Sequence, residues 1–199
     1  TNVTLDGNTT MSSPGNGGGV HITGPGNMNI TGGVVSNNTA SAEGGGLWNG
    51  TGTMTIADVM IQNNTAAGAM SDQGGGGVFN AGGTVTISGS TMITGNTATG
   101  AAGSGGGILN DVGGNLTIDG ATISGNTSVR AGGGIEDVSG EGTTFSLTNV
   151  TLSGNTTMSS PGNGGGVHIT GPGDMTITGG VVSNNTASAE GGGLWNGTG

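Results

Sequence analysis

The sequence predicts an all-β protein: a right-handed parallel β-solenoid (β-helix) with three short strands per coil and about 29 residues per coil. Three observations carry the prediction. A glycine triplet followed by Val, Ile or Leu recurs seven times, at spacings of 27, 31, 30, 27, 32 and 27 residues. Between triplets, apolar and polar residues alternate in segments too short for helices and separated by Gly, Asn and Ser. Finally, large apolar side chains are scarce. The 7 Leu, 12 Ile, 14 Val and 2 Phe make up about 18% of 199 residues, below the roughly 20% under which a charged chain is usually disordered.

A solenoid reconciles that scarcity with order. Each strand needs only one or two inward side chains, and backbone groups pair with the coils above and below. Disorder would not keep diverged units in apolar register. Collagen is excluded, because the 51 Gly follow no three-residue period and Pro numbers 4.

The elements follow in order within each unit. The triplets end at Gly19, Gly46, Gly77, Gly107, Gly134, Gly166 and Gly193, which starts the coils near residues 17, 44, 75, 105, 132, 164 and 191. Three glycines at a corner imply a positive φ or a close approach of backbone. A first strand then carries one inward aliphatic: Val20, Leu47, Val78, Ile108 and Ile135. A second carries alternate apolar pairs: Met28 and Ile30, Met54 and Ile56, Val85 and Ile87, Leu116 and Ile118, Phe145 and Leu147. A third is built on Val35, Ile61, Ile93, Ile123 and Leu152, each followed three residues later by Asn. Stacking at about 4.8 Å per coil and a right-handed path complete the reading.

A longer period is superimposed. Residues 1–52 recur as 148–199 with three changes, Asp6 to Ser153, Asn27 to Asp174 and Asn29 to Thr176. The offset of 147 residues is five coils, so residues 1–199 read as one continuous solenoid containing a five-coil super-repeat. The chain opens on Thr1 and stops in mid-pattern at Gly199, as expected of a stretch of something longer.

Units of the form Ile-x-x-Asn, Thr-Ala, a glycine cluster with an aliphatic, then Leu-Thr-Ile resemble the repeats of polymorphic outer-membrane proteins. They resemble more widely the right-handed β-helix surface and adhesin-like proteins of bacteria. The resemblance covers the whole chain and implies the fold and a surface location. It departs at Ile61, Ile93 and Ile123, where those repeats often have Phe, and at the third glycine, where they often have Ala.

Stacked coils turn equivalent residues into columns. Asn8, Asn38, Asn64, Asn96, Asn126, Asn155 and Asn185 form a ladder whose amides can hydrogen-bond along the axis. The residues after the first-strand aliphatic are His21, Trp48, Phe79, Leu109, Glu136, His168 and Trp195. If the aliphatic points in, these point out. The stripe His21, Trp48, Phe79, Leu109, His168 and Trp195 is then either an exposed contact surface for a partner, a sugar or a neighbouring rod, or the seat of a covering segment. Asn29, Thr55, Thr86, Thr117, Ser146 and Thr176 make an outward polar column of the kind that binds ice, although Thr is also simply a good strand residue. Glu136, Asp137 and Glu141 lie near one turn and offer oxygen ligands to calcium. Twelve Asn-x-Ser/Thr sequons occur, among them Asn2, Asn37, Asn63 and Asn149.

Charge and composition exclude other classes. Eleven acids against Arg130 alone give a net charge of −10, which argues against nucleic acid as a partner. No Cys is present for thiolate metal sites or thiol catalysis, and no apolar run approaches the roughly 20 residues of a membrane helix. A resemblance to pectin-cleaving β-helices would imply clustered Asp residues with a positioned Lys or Arg, whereas here Lys is absent and the lone Arg130 sits in a turn. The expectation is a structural extracellular repeat protein without a cofactor, a segment of a long fibre, filament or surface stalk that partners itself axially and laterally. An adhesin that recognises glycans or a cell surface is the alternative; an enzyme and an ice-binding protein rank behind it.

Overall fold

The computed structural model describes residues 1–197; it contains strands and turns, with no helix among the described residues. The strands stack into parallel sheets around a solenoid of about 6 turns with roughly 30 residues per turn. The sheets number four. The first follows the glycine corner and holds seven three-residue strands, Val20–Ile22 to Leu194–Asn196. The second holds six, Met28–Thr31 to Thr176–Thr178, and the third seven, Val3–Asp6 to Val181–Ser183.

The fourth sheet corrects the expected three strands per coil. It consists of six two-residue strands, from Thr9–Thr10 to Thr156–Thr157, each just after a ladder asparagine. Each offers a single inward position, filled at Ala40, Ala66, Ala98, Ser128 and Thr157 by a buried small residue. One small residue makes no alternation, so the period-2 signal is silent there.

The apolar columns lie in register as the sequence predicts. Leu47, Val78, Ile108, Ile135 and Val167 stack in the first sheet, Met54, Val85, Leu116 and Phe145 in the second, and Ile61, Ile93, Ile123 and Leu152 in the third. None is more than 3% exposed. The core is a set of such columns, one or two side chains deep, running the length of the axis.

The glycine triplet divides its work. Its first member turns the chain with positive φ, 62° at Gly44 and 62° at Gly105. Its second lies against the backbone of the fourth sheet, where a Cβ on Gly45 would meet Thr65 carbonyl carbon at 2.5 Å. Its third lies against the next coil's corner and the asparagine ladder, where a Cβ on Gly46 would meet the Gly77 carbonyl oxygen at 2.6 Å and Asn64 at 3.2 Å. Conformation and space therefore both demand glycine, at different members of the triplet.

The asparagine ladder is continuous from Asn8 to Asn185. Each Nδ2 donates to the Oδ1 of the next asparagine at 2.9–3.0 Å, and each backbone N–H donates to that same oxygen. The second Nδ2 proton goes to the carbonyl of the central residue of the third-sheet strand one coil back, Ile61 for Asn96 and Ile93 for Asn126. An interior amide thus has all four of its hydrogen-bonding sites filled, which allows Asn38 to Asn155 to lie fully buried.

The boundary between copies of the super-repeat is continuous in the sheets. Thr151–Ser153, the counterpart of Thr4–Asp6, lies between Thr122–Ser124 and Val181–Ser183 as an interior strand. Coils on the two sides of residue 147 pair as coils elsewhere do.

Candidate functional site

Outward from the first sheet, His21, Trp48, Phe79, Leu109, Glu136, His168 and Trp195 align in consecutive strands. The aromatic members stack. His21 and Trp48 have ring centroids 4.2 Å apart and 11° between planes, Trp48 and Phe79 6.3 Å and 4°, His168 and Trp195 4.4 Å and 9°.

The column is not the open stripe that simple alternation suggests. Phe79 is 1% exposed, Leu109 0%, Glu136 0% and His168 3%; Trp48 and Trp195 are half-buried, and His21 is exposed. The cover comes from the loops before each glycine triplet. Trp48 Nε1 donates to Glu43 and Trp195 Nε1 to Glu190, each at 3.0 Å, while Arg130 reaches Glu136 at 3.6 Å. These loops absorb most of the variation in coil length, so no fixed spacing announces them. Both sides of the first sheet are consequently packed.

The three carboxylates at residues 136–141 are not brought together as a calcium site. Glu136 and Asp137 are neighbours in one strand and face opposite sides of it. Glu136 Oε2 meets His168 Nδ1 at 2.8 Å and its Oε1 accepts from Thr170 at 2.7 Å. Asp137 accepts from Asn110 at 2.7 Å and Ser139 at 3.0 Å. Glu141 is exposed in the following turn. Oxygens already committed to protein donors have little left for a cation. Burial pushes the Asp137 carboxyl above the usual carboxylate range, against the bonds from Asn110 and Ser139.

Glu136, His168 and Thr170 do not form a hydrolytic triad either. The Thr170 hydroxyl lies 3.1 Å from Nδ1, the same nitrogen that meets Glu136, whereas a triad places nucleophile and carboxylate on opposite ring nitrogens. The group is built as a buried polar packing cluster.

Two features were not read from the sequence. One is a second ladder, inward in the first sheet, where Asn49 Nδ2 donates to Asn80 at 2.9 Å, Asn80 to Asn110 at 2.7 Å, and Asn110 to Asp137. Its signal was available: Asn or Asp stands two residues after the first-strand aliphatic in four successive coils. The other is the electrostatic grouping of Glu43, Asp72 and Asp111, contributed by turns and loops of different coils. Burial raises the Glu43 and Asp111 carboxyls, and repulsion within the group adds to it.

The hydroxyl column of the second sheet is in register from Asn29 through Thr55, Thr86, Thr117 and Ser146 to Thr176. Asp119 breaks the column beside it. His21 and His168 occupy equivalent places in different coils and have different partners, Asn16 carbonyl and Glu136. Comparison with protein-family models, curated proteins and solved structures returned no match.

Proposed function

We propose that the protein is a structural segment of a long extracellular β-solenoid, a fibre, filament or surface stalk made of tandem five-coil units. The observation that carries the reading is the seamless unit boundary. The second copy continues all four sheets of the first, and Thr151–Ser153 takes a neighbour on both sides where its counterpart in the first copy has one. Solenoids grow by adding nearest-neighbour interfaces, so near-identical units can extend the stack without a new contact being invented. The resemblance to polymorphic outer-membrane-protein repeats agrees with a surface location.

The test is the contour length of chains carrying two, four and six units. At about 4.8 Å per coil, each five-coil unit adds about 24 Å of straight rod. Lengths that stop growing, or compact particles, overturn the reading. Glycan or cell-surface binding that disappears in Trp48→Ala and Trp195→Ala variants, the half-buried aromatics of the outer column, would favour the adhesin.

A further inference from the structure

We infer that the buried cluster of Glu136, His168, Thr170 and Arg130 is a joining key between units: it favours the head coil of the following unit over any other coil as the neighbour of the fifth, and so holds successive units in register. The inference rests on the tandem-rod reading and adds the contact that would join unit to unit. Glu136 lies in the last coil of one 147-residue unit. His168 and Thr170 lie in the first coil of the next, as the counterparts of His21 and Thr23.

This junction differs from the other coil interfaces on both sides of the first sheet. On the outer side, the column is aromatic or aliphatic through Trp48, Phe79 and Leu109, then becomes Glu136 against His168. Glu136, at 0% exposure, is served by His168, by Thr170, and by Arg130, whose other contact is Ser104 at 3.2 Å. The His168 ring is held in place from its far side by stacking on Trp195. On the inner side, the second ladder stops at the same interface. Asp137 is an acceptor without an N–H to pass on, and its register partner in the next unit is Ile169. The head coil interrupts the ladder on its other side as well: Asn49 of the second coil faces Ile22 of the first, and its Oδ1 is left without a donor.

A buried carboxylate is tolerated only with its partners, and removing one is far more costly than replacing both by apolar groups. A second coil following the fifth would set Trp48 and Gly50 where His168 and Thr170 stand. Trp48 has a single indole N–H, which in its own coil is taken by Glu43, and Gly50 has no side-chain donor, so the pair cannot supply both bonds that Glu136 accepts. The chemistry therefore selects the head coil of another unit and disfavours the interior coils.

Amide hydrogen exchange on the full chain tests the key. His168→Trp imitates the wrong coil and takes the imidazole partner from buried Glu136, leaving Thr170 and Arg130. Exchange of the Val167–Ile169 amides should rise by about 100-fold or more, while that of Val78–Asn80 stays unchanged. Glu136→Leu combined with His168→Trp restores an apolar column and should bring exchange back to within about tenfold of the parent. Unchanged exchange in His168→Trp, or equal loss of protection in the double variant, overturns the key. Neither result touches the rod reading, which stands or falls on contour length.

Discussion

Replacing Asn96 by Ala should cost about 3–4 kcal/mol, and the figure follows from the groups it strands. Asn96 Nδ2 donates to Asn126 and to the Ile61 carbonyl, while Oδ1 accepts from the Asn64 backbone and the Asn64 amide. Truncation removes four hydrogen bonds. Asn126 Oδ1 keeps the backbone N–H of residue 96, so three buried groups lose partners: Asn64 N–H, one Asn64 Nδ2 proton and the Ile61 carbonyl. At about 1 kcal/mol each, the low end for an unsatisfied buried group, with lost packing added, the sum falls in the stated range. Asn8→Ala at the exposed edge of the ladder removes one side-chain bond and should cost under about 1 kcal/mol. Asn96→Asp keeps the acceptor but removes the donors and buries a charge, so it should be worse than Ala at neutral pH and recover as the carboxyl protonates. Urea unfolding monitored by circular dichroism gives the stabilities, and exchange of the Asn64 amide reports the stranded donor directly. Equal losses for Asn96→Ala and Asn8→Ala would refute ladder satisfaction as the source of order.

Other outcomes follow from the same structure. Phe79→Ala should cost about 3–5 kcal/mol, the value of a core aromatic, although it lies outside the sheet; a loss below about 1 kcal/mol in urea unfolding would mean the loops do not cover it. Gly76→Ala drives a Cβ into the Gly106 carbonyl and the Thr97 backbone and should cost more than about 3 kcal/mol. Gly140→Ala, with φ of 89° and open space, should cost about 1–2 kcal/mol; a reversed order in thermal melts would contradict the close-packed corner. Glu43, Asp111 and Asp137 have carboxyls raised in the folded state, so the native chain holds protons that the unfolded chain has released. That contribution to stability is lost as pH rises through the raised values, and the melting temperature should climb as pH falls from neutral toward the ordinary carboxylate range. Asp6 and Asp58, lowered by bonds from Ser36 and Ser90, oppose this only at more acid pH. Asp111→Asn should raise the neutral-pH melting temperature and flatten the profile; an unchanged profile would refute the assignment.

What could be read in advance was whatever repeats with a fixed spacing and a strong side chain. Ile61, Ile93 and Ile123 mark a strand because their neighbours are polar, and Asn64, Asn96 and Asn126 mark a ladder because they stand three residues on. Ala66 and Ala98 mark nothing by themselves, so the fourth sheet emerges only when the glycine corner is seen to need something close to pack on. The outer column's members follow from the coil period, since each stands one residue after a first-strand aliphatic. Its burial was not legible, because Glu43 and Arg130 reach it from loops of unequal length. The Glu136 pairing with His168 spans 32 residues and occurs in one interface, so no column statistic reveals it.

The ladder has a direction. Each asparagine from Asn8 to Asn155 donates a hydrogen bond to the next, so the ladder's amide dipoles all point along the axis the same way. An assembly of such coils is an arrow, with a bare acceptor at one end and bare donors at the other. Turned end for end, a coil would meet oxygen with oxygen or N–H with N–H. Any coil stacked on either end must therefore keep the same polarity to continue the ladder.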